Sequence, residues 1–316
     1  MSFIKNKYTS FYTSLEEELA KIPIKDNFIP QGCCYIEDYI IISCYDYNHE
    51  INSLLYILST KNKQVKTIYL DEKIHCGGID YHKNSNNIFI TGHGYQNKSY
   101  INMYRLEKII ESENLSTITV DKKYEVDNDN TLYSTSAKHS SPAFLTINNN
   151  DLYVGNFINY NSTNKKKSII KKYKILKTGD ISKTSDIINN PFSNTQGLCI
   201  LKNNNVEYFL FSRSFGRKRN SIINICIYDK SFKCLNTIVL PSMLEQINNY
   251  KNGIIAIFES CAKAYSKTCI SYNDGIYHLN IEELLKTNNT EKDFSKGTSL
   301  YTSNKNIDIK GSNGQK

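Results

Sequence analysis

The chain has 316 residues, a formal net charge of +8 at pH 7 and 40% hydrophobic residues. That apolar share excludes a disordered chain, and no run of the sequence approaches the length of a membrane-spanning helix. With 24 Tyr, 13 Phe and no Trp, the composition favours strands over helices.

In chain order, the N-terminus MSFIKNKYTSFYTSLEEEL has no apolar core of a secretory signal. Ser14-Leu-Glu-Glu17 has the spacing of a capping box ahead of Leu15, Leu19 and Ile22, which predicts a short amphipathic helix before Pro23. Residues 1–28 are therefore expected to be a helical or closure segment. The first group of strands follows: Gly32–Ile36, Tyr39–Tyr45, Leu54–Leu58 and Val65–Leu70. The second has Gly78–Tyr81, Ile88–Gly92, Tyr100–Leu106 and Thr117–Val120, with a helical turn over Lys108–Asn114. The third has Ala143–Ile147, Leu152–Phe157, Ser168–Ile175 and a poor strand near Ser185.

The fourth group, within Pro191–Leu240, is the best formed. Thr195–Ile200, Glu207–Ser212, Ile222–Tyr228 and Cys234–Leu240 are separated by turn-forming runs such as Lys202-Asn-Asn-Asn. The fifth has strands from Leu244, Gly253 and Gly275, then Asn280-Ile-Glu-Glu-Leu-Leu as a capped helical turn. Its missing partner would come from the N-terminal segment or from Thr298–Thr302. The tail 311–316 is polar and expected to be loose.

Four short strands recurring about every 50 residues is the pattern of a β-propeller blade. The expected fold is all-β: five blades of four antiparallel strands over residues 29–310, six being the alternative, with short N- and C-terminal helices. In such a ring the residue entering strand one lies beside the residue leaving strand two, on one face of the disc. The entries here are Pro30-Gln31-Gly, His75-Cys-Gly-Gly, His139-Ser-Ser-Pro, Thr195-Gln196-Gly and Leu244-Glu245-Gln. The exits are Tyr45-Asp46, Gly92-His93, Asn156-Phe157, Ser212-Arg213-Ser-Phe and Glu259-Ser260. Polar groups from every blade are thus expected to share one mouth, and Gly32, Gly77, Gly78 and Gly197 to let backbones crowd near the axis.

Within that mouth His75, His139 and Glu245 are the expected proton-transfer residues. Gln31, Tyr45, Asp46, Asn156, Gln196, Arg213 and Glu259 are expected to bind substrate, Arg213 clamping an anionic group through its fork of donors. The structural alternatives are an Arg213–Glu bridge between blades, and glutamines that satisfy channel carbonyls. His75, His139 and His93 are candidate metal ligands, but no ligand spacing in the sequence requires a metal or any other cofactor. Paired carboxylates for sugar cleavage would have to come from Asp46 with Glu245 or Glu259, and no Trp is present to stack a sugar.

The nine cysteines form no Cys-x-x-Cys pair, and most lie inside apolar strand text. An odd count without a secretory signal points to a reducing, cytoplasmic setting. The densest basic run, Lys165–Lys174, is expected on a loop and strand edge. Basic and aromatic residues do not interleave as a nucleic-acid motif, so the expected partner is a small molecule or peptide, with no membrane and no nucleic acid.

Phe192-Ser-Asn-Thr-Gln-Gly-Leu, Ser212-Arg-Ser-Phe-Gly, Ser221, Tyr228-Asp and Glu245 resemble one blade of the plant-type and bacterial glutamine cyclotransferases. Those five-bladed propellers cyclise N-terminal glutamine and carry Thr-Gln-Gly-Leu followed by Gly-Glu-Gly. Here Glu245 stands in Met-Leu-Glu-Gln without either glycine. More broadly, the anchors Gln31-Gly, His75-Cys-Gly-Gly, His139-Ser-Ser-Pro, Gln196-Gly and Phe258-Glu-Ser are similar to bacterial propeller proteins of unassigned function. That resemblance implies a fold and no activity. The function expected is an enzyme acting in the channel mouth by acid–base chemistry, through cyclisation, elimination or hydrolysis. The alternative is a non-catalytic ring that binds a ligand or protein partner in the same place.

Overall fold

The computed structural model describes residues 8–25, 27–93, 99–126, 142–160 and 167–286. The chain enters through a helix, α1 (Thr9–Ser14), and goes directly into a strand, β1 (Leu15–Lys21). The expected helix thus stops where the capping box was to begin it. β1 pairs antiparallel with β21 (Gly275–Asn280), from Leu15 opposite Leu279 to Lys21 opposite Gly275. An unpaired strand edge is a stronger local demand than the helix preference of Leu-Glu-Glu-Glu, which tertiary pairing overrides. Leu19 is buried under the strand while Glu16, Glu17 and Glu18 face solvent.

Blade one holds β2 (Phe28–Ile36), β3 (Tyr39–Asp46), β4 (Leu54–Ser59) and β5 (Val65–Leu70). Blade two holds β6 (Ile79–His82), β7 (Asn87–His93), β8 (Ser99–Arg105) and β10 (Lys122–Glu125). Helix α2 (Leu106–Glu111) and the short β9 (Thr117–Ile118) come between β8 and β10. The second-blade strand expected at Thr117–Val120 is corrected here: β9 pairs parallel with β5 of blade one, and β10 takes the outer place in blade two. The segment before β9 is drawn to blade one by Asn114, whose Oδ1 accepts the Thr67 N–H at 2.9 Å, and by the Ser116 carbonyl, which accepts that of Tyr69.

Blade three holds β11 (Phe144–Asn148), β12 (Asp151–Gly155), β13 (Ile169–Lys174) and β14 (Asp186–Asn189). Blade four holds β15 (Thr195–Asn203), β16 (Val206–Arg213), β17 (Ser221–Asp229) and β18 (Ser231–Leu240). Its first hairpin turns on Asn204 and Asn205 alone, both left-handed at φ 49° and 63°. Asparagine tolerates that region, and a two-residue loop of this hand matches the twist of its strands. Blade five is composite: β19 (Leu244–Tyr250), β20 (Gly253–Phe258) and β21, completed by β1. The ring is therefore five blades closed by the N-terminal strand. Helix α3 (Lys263–Ser266) lies between β20 and β21, and α4 (Ile281–Lys286) follows, capped by Asn280 Oδ1 on the N–H of Glu282 at 2.8 Å. Thr298–Thr302 and the tail lie outside the described residues.

Ile, Leu and aromatic side chains of facing blades fill the spaces between them, as where Ile29, Ile57 and Ile68 of blade one meet Ile79 and Ile90 of blade two. The axis is so tight that a Cβ on Gly78 would sit 2.3 Å from the backbone nitrogen of Leu145. One side chain occupies it. Gln246 Oε1 accepts the N–H groups of Cys33 (3.1 Å) and Ile79 (2.9 Å), and its Nε2 donates to the carbonyls of Ile79 (2.9 Å) and Leu145 (3.2 Å). Blades one, two, three and five are thus joined through a single amide. Farther along, Asp80 accepts from Ile147 N–H (2.7 Å), Tyr81 N–H (2.8 Å), Asn248 Nδ2 (3.1 Å) and Thr146 Oγ1 (3.2 Å). These groups form the floor under the mouth.

Candidate active site

Three first strands carry the same irregularity at the same place. Between the pairs Pro30–Cys44 and Gly32–Ser43, Gln31 is an extra residue. Gln196 is extra between Thr195–Arg213 and Gly197–Ser212. In blade five the register also shifts between Leu244–Phe258 and Ile247–Ala256, a step that contains Glu245 and Gln246. A β-bulge re-aims the side chain it releases from the ladder. Here it turns Gln196 toward Glu245 and Gln31 toward Glu259, and lets Gln246 fill the axis below.

Glu245 is buried, and Gln196 Nε2 donates to its Oε1 at 2.9 Å. Glu259 lies just past the end of β20 and keeps some solvent contact. Gln31 Nε2 donates to Glu259 Oε2 at 3.2 Å and to the Pro30 carbonyl at 3.1 Å. The two carboxyl groups lie within hydrogen-bonding reach of each other. Burial, then the charge of Glu259, holds the Glu245 carboxyl well above the usual range. Burial pushes Glu259 up to about 7, against the Gln31 and Glu245 hydrogen bonds and the charge of Arg217, which favour its ionised form. Two carboxyls in contact in a low-dielectric site titrate as a pair, retaining one proton where isolated carboxyls hold none.

Aromatic rings frame the pair. The Tyr45 ring lies 4.4 Å from that of His75 and 5.2 Å from that of His49, the latter nearly parallel. Burial raises the hydroxyls of Tyr45 and of Tyr265 on α3, Tyr265 to about 12, with the charge of Glu259 adding to both shifts. The guanidinium of Arg217, on the exposed loop after β16, stands 5.0 Å over the Tyr265 ring. Tyr265 and Arg217 were not singled out from the sequence. They come from connecting loops with no repeat to mark them.

The other expected residues fall as follows. Arg213 is buried, with Nε donating to the Ser193 carbonyl at 2.7 Å and Nη1 to Asn224 Oδ1 at 3.1 Å. Phe192 and Phe215 cover it at 5.1 and 5.2 Å. These partners engage its fork within blade four. Asp46 Oδ2 accepts the N–H groups of Glu50 (2.9 Å) and Ile51 (3.3 Å), shaping the loop after β3. Asn156 Oδ1 accepts the N–H of Ile169 at 2.8 Å. His139 lies outside the described residues, as does the side chain of His93. Among the described residues no three His, Cys, Asp or Glu side chains converge as a metal site, and no helix is long and apolar enough to cross a membrane.

No protein-family model matches the chain, and no curated protein does so significantly. Several solved structures resemble it at low identity. An α-L-arabinofuranosidase from Clostridium thermocellum is similar at 12% identity over 79% of this chain and 88% of that one, with a TM-score of 0.49. The GH43_1 enzyme from Xanthomonas citri, complexed with xylose, is similar at 8% identity over 87% and 93%, again with a TM-score of 0.49. The GH32 β-fructofuranosidase of Bombyx mori gives 12% identity over 88% and 65%, with a TM-score of 0.46. The chain's own strand pairing, in five sheets, makes it a five-bladed β-propeller.

Proposed function

We propose that the protein is an enzyme acting on a small molecule or peptide at the channel mouth, with the Glu245–Glu259 pair moving protons. The observation that carries this reading is the pair itself: a buried Glu245 and a partly exposed Glu259 that shift each other's titration, each accepting a hydrogen bond from a glutamine amide. With one proton between them, the ionised member takes a proton from an attacking water or amine while the shared proton goes to the departing group. Glu259, the more exposed member, faces the substrate, and Glu245 behind it stores the proton. Gln31 and Gln196 fix the carboxyl planes. His75 beside Tyr45 is proposed as a second proton-transfer residue, and His139, outside the described residues, as a third.

Hydrolysis and intramolecular cyclisation make the same demand on such a pair. Glycoside cleavage employs carboxyls about 5–9.5 Å apart, with the sugar between them. A pair in contact favours an acyl or amide substrate instead. The Thr195-Gln-Gly-Leu resemblance makes peptides with N-terminal glutamine the first substrates to try. The test is mass-spectrometric screening of such peptides and of amide and ester panels, with wild type, Glu259→Gln and Glu245→Gln side by side. Turnover lost in both folded variants supports the reading, and turnover unchanged in Glu259→Gln removes it. Saturable stabilisation by a hit with no product formed would favour the ligand-binding ring.

A further inference from the structure

Cys33 and Cys44 inside strands and Cys76 just before β6 are buried, which pushes their thiols up and keeps them inert. Two are placed differently. Cys226 on β17 and Cys234 on β18 stand directly opposite each other in an antiparallel ladder, next to a register shift that leaves Leu235 as an extra, exposed residue. Opposed residues of such a ladder have Cα atoms about 4.5–5.5 Å apart. A disulfide spans about 4.4–6.8 Å between Cα atoms, so the pair can be joined without moving either strand far. Cys226 is buried and Cys234, on the outermost strand of blade four, is partly exposed.

The polar groups around Cys234 suit an anionic sulfur. Asn224 Nδ2 points at its Sγ from 3.6 Å, and Thr237 Oγ1 lies 3.8 Å away. In the protonated form Sγ donates to the Asn236 carbonyl at 3.3 Å. The Cys226 thiol across the ladder, helped by Thr237 and Asn224, pulls the Cys234 thiol down to about 6. The neighbouring Cys234, and burial, push the Cys226 thiol up. Asn224 is also the acceptor for Arg213, so the pair is two hydrogen bonds from the buried guanidinium at the mouth side of the blade.

We infer that Cys226 and Cys234 form a reversible dithiol site that exchanges with small disulfides, Cys234 attacking first and Cys226 resolving. The Cys234 thiolate attacks one sulfur of a disulfide RSSR, forming a Cys234–SR bond and releasing RS⁻. Cys226 then loses its proton and attacks the Cys234 sulfur, releasing the second RS⁻ and closing the intramolecular bond. Two protein thiols are oxidised and one RSSR is reduced to two RSH, so protons and electrons balance.

The test is to equilibrate the full-length protein with reduced and oxidised glutathione at several ratios, block free thiols after denaturation and map peptides. Trypsin cuts at Lys230 and Lys233, so a link would join Asn220–Lys230 to Cys234–Lys251. Expected is that one link, with the other seven of the nine cysteines alkylated. Cys226→Ser should accumulate a glutathione adduct on Cys234, and Cys234→Ser should leave Cys226 unmodified. Cys226→Ala serves as the second variant, since a serine in this buried place can cost stability. No link at any ratio, or an adduct that stays on Cys234 in wild type, overturns the inference.

Discussion

Two acidic sites lie along one axis, and they are built in opposite ways. Asp80 on the floor has four donors drawn from three blades. Burial raises its pKa, and those four hydrogen bonds oppose the shift. Glu245 and Glu259 at the mouth each have one glutamine amide and otherwise each other. A carboxyl with its lone pairs satisfied is part of the frame, while a pair short of donors must keep a proton to stay buried. That proton can be given away, and so the mouth and not the floor is suited to chemistry.

The widest separation between the two clusters should come from exchanging one carboxyl for an amide. Glu259→Gln is expected to lower turnover about 100- to 10,000-fold while circular dichroism and melting stay native-like. The floor should answer the other way. Gln246→Ala leaves two N–H groups and two carbonyls without their amide, and is expected to cost on the order of 4 kcal/mol in urea unfolding. If Gln246→Ala melted like wild type, the axis amide would not be what joins the blades.

A smaller effect distinguishes the clusters by pH. The mouth pair binds protons more tightly folded than unfolded, so the folded state holds more protons than the unfolded chain from about pH 4.3 upward through about 7. Its contribution to stability is present in full below that window and is lost as pH rises through it. Wild type should therefore lose more stability than Glu245→Gln between pH 5 and pH 8, as read by urea midpoints. Equal losses would mean that the pair ionises as freely as in the unfolded chain. Smallest of all, Gln31→Ala removes a donor that favours the ionised form of Glu259. The acidic limb of the pH–rate profile should then move upward by less than about one unit.

Local text carries much of this protein. Ile222–Tyr228 and the Asn204-Asn205 turn specify strand and hairpin within a few residues, which made blade four and the count of five legible. The repeated step into strand one, with Gln31, Gln196 and Glu245, pointed to the mouth because a regular repeat maps equivalent positions onto one face. The same regularity says nothing of the loops, so Tyr265 and Arg217 went unseen. For Arg213, only packing shows its guanidinium bonded to Ser193 and Asn224 between two phenylalanines.

The amino-acid sequence by itself determined the strands, their turns and the ring they form, because period-two patterning and turn chemistry act over short distances. Closure was decided by the tertiary structure. Leu15–Lys21 is a strand because the edge of β21 is open beside it, not because its own residues prefer to be extended. The glutamine amides around the carboxyl pair have the same origin. Gln31 meets Glu259 across 228 residues of chain, and Gln196 meets Glu245 across 49. Glu245 and Glu259 come from one hairpin of blade five, but only a closed ring brings Gln31 of the first blade against them.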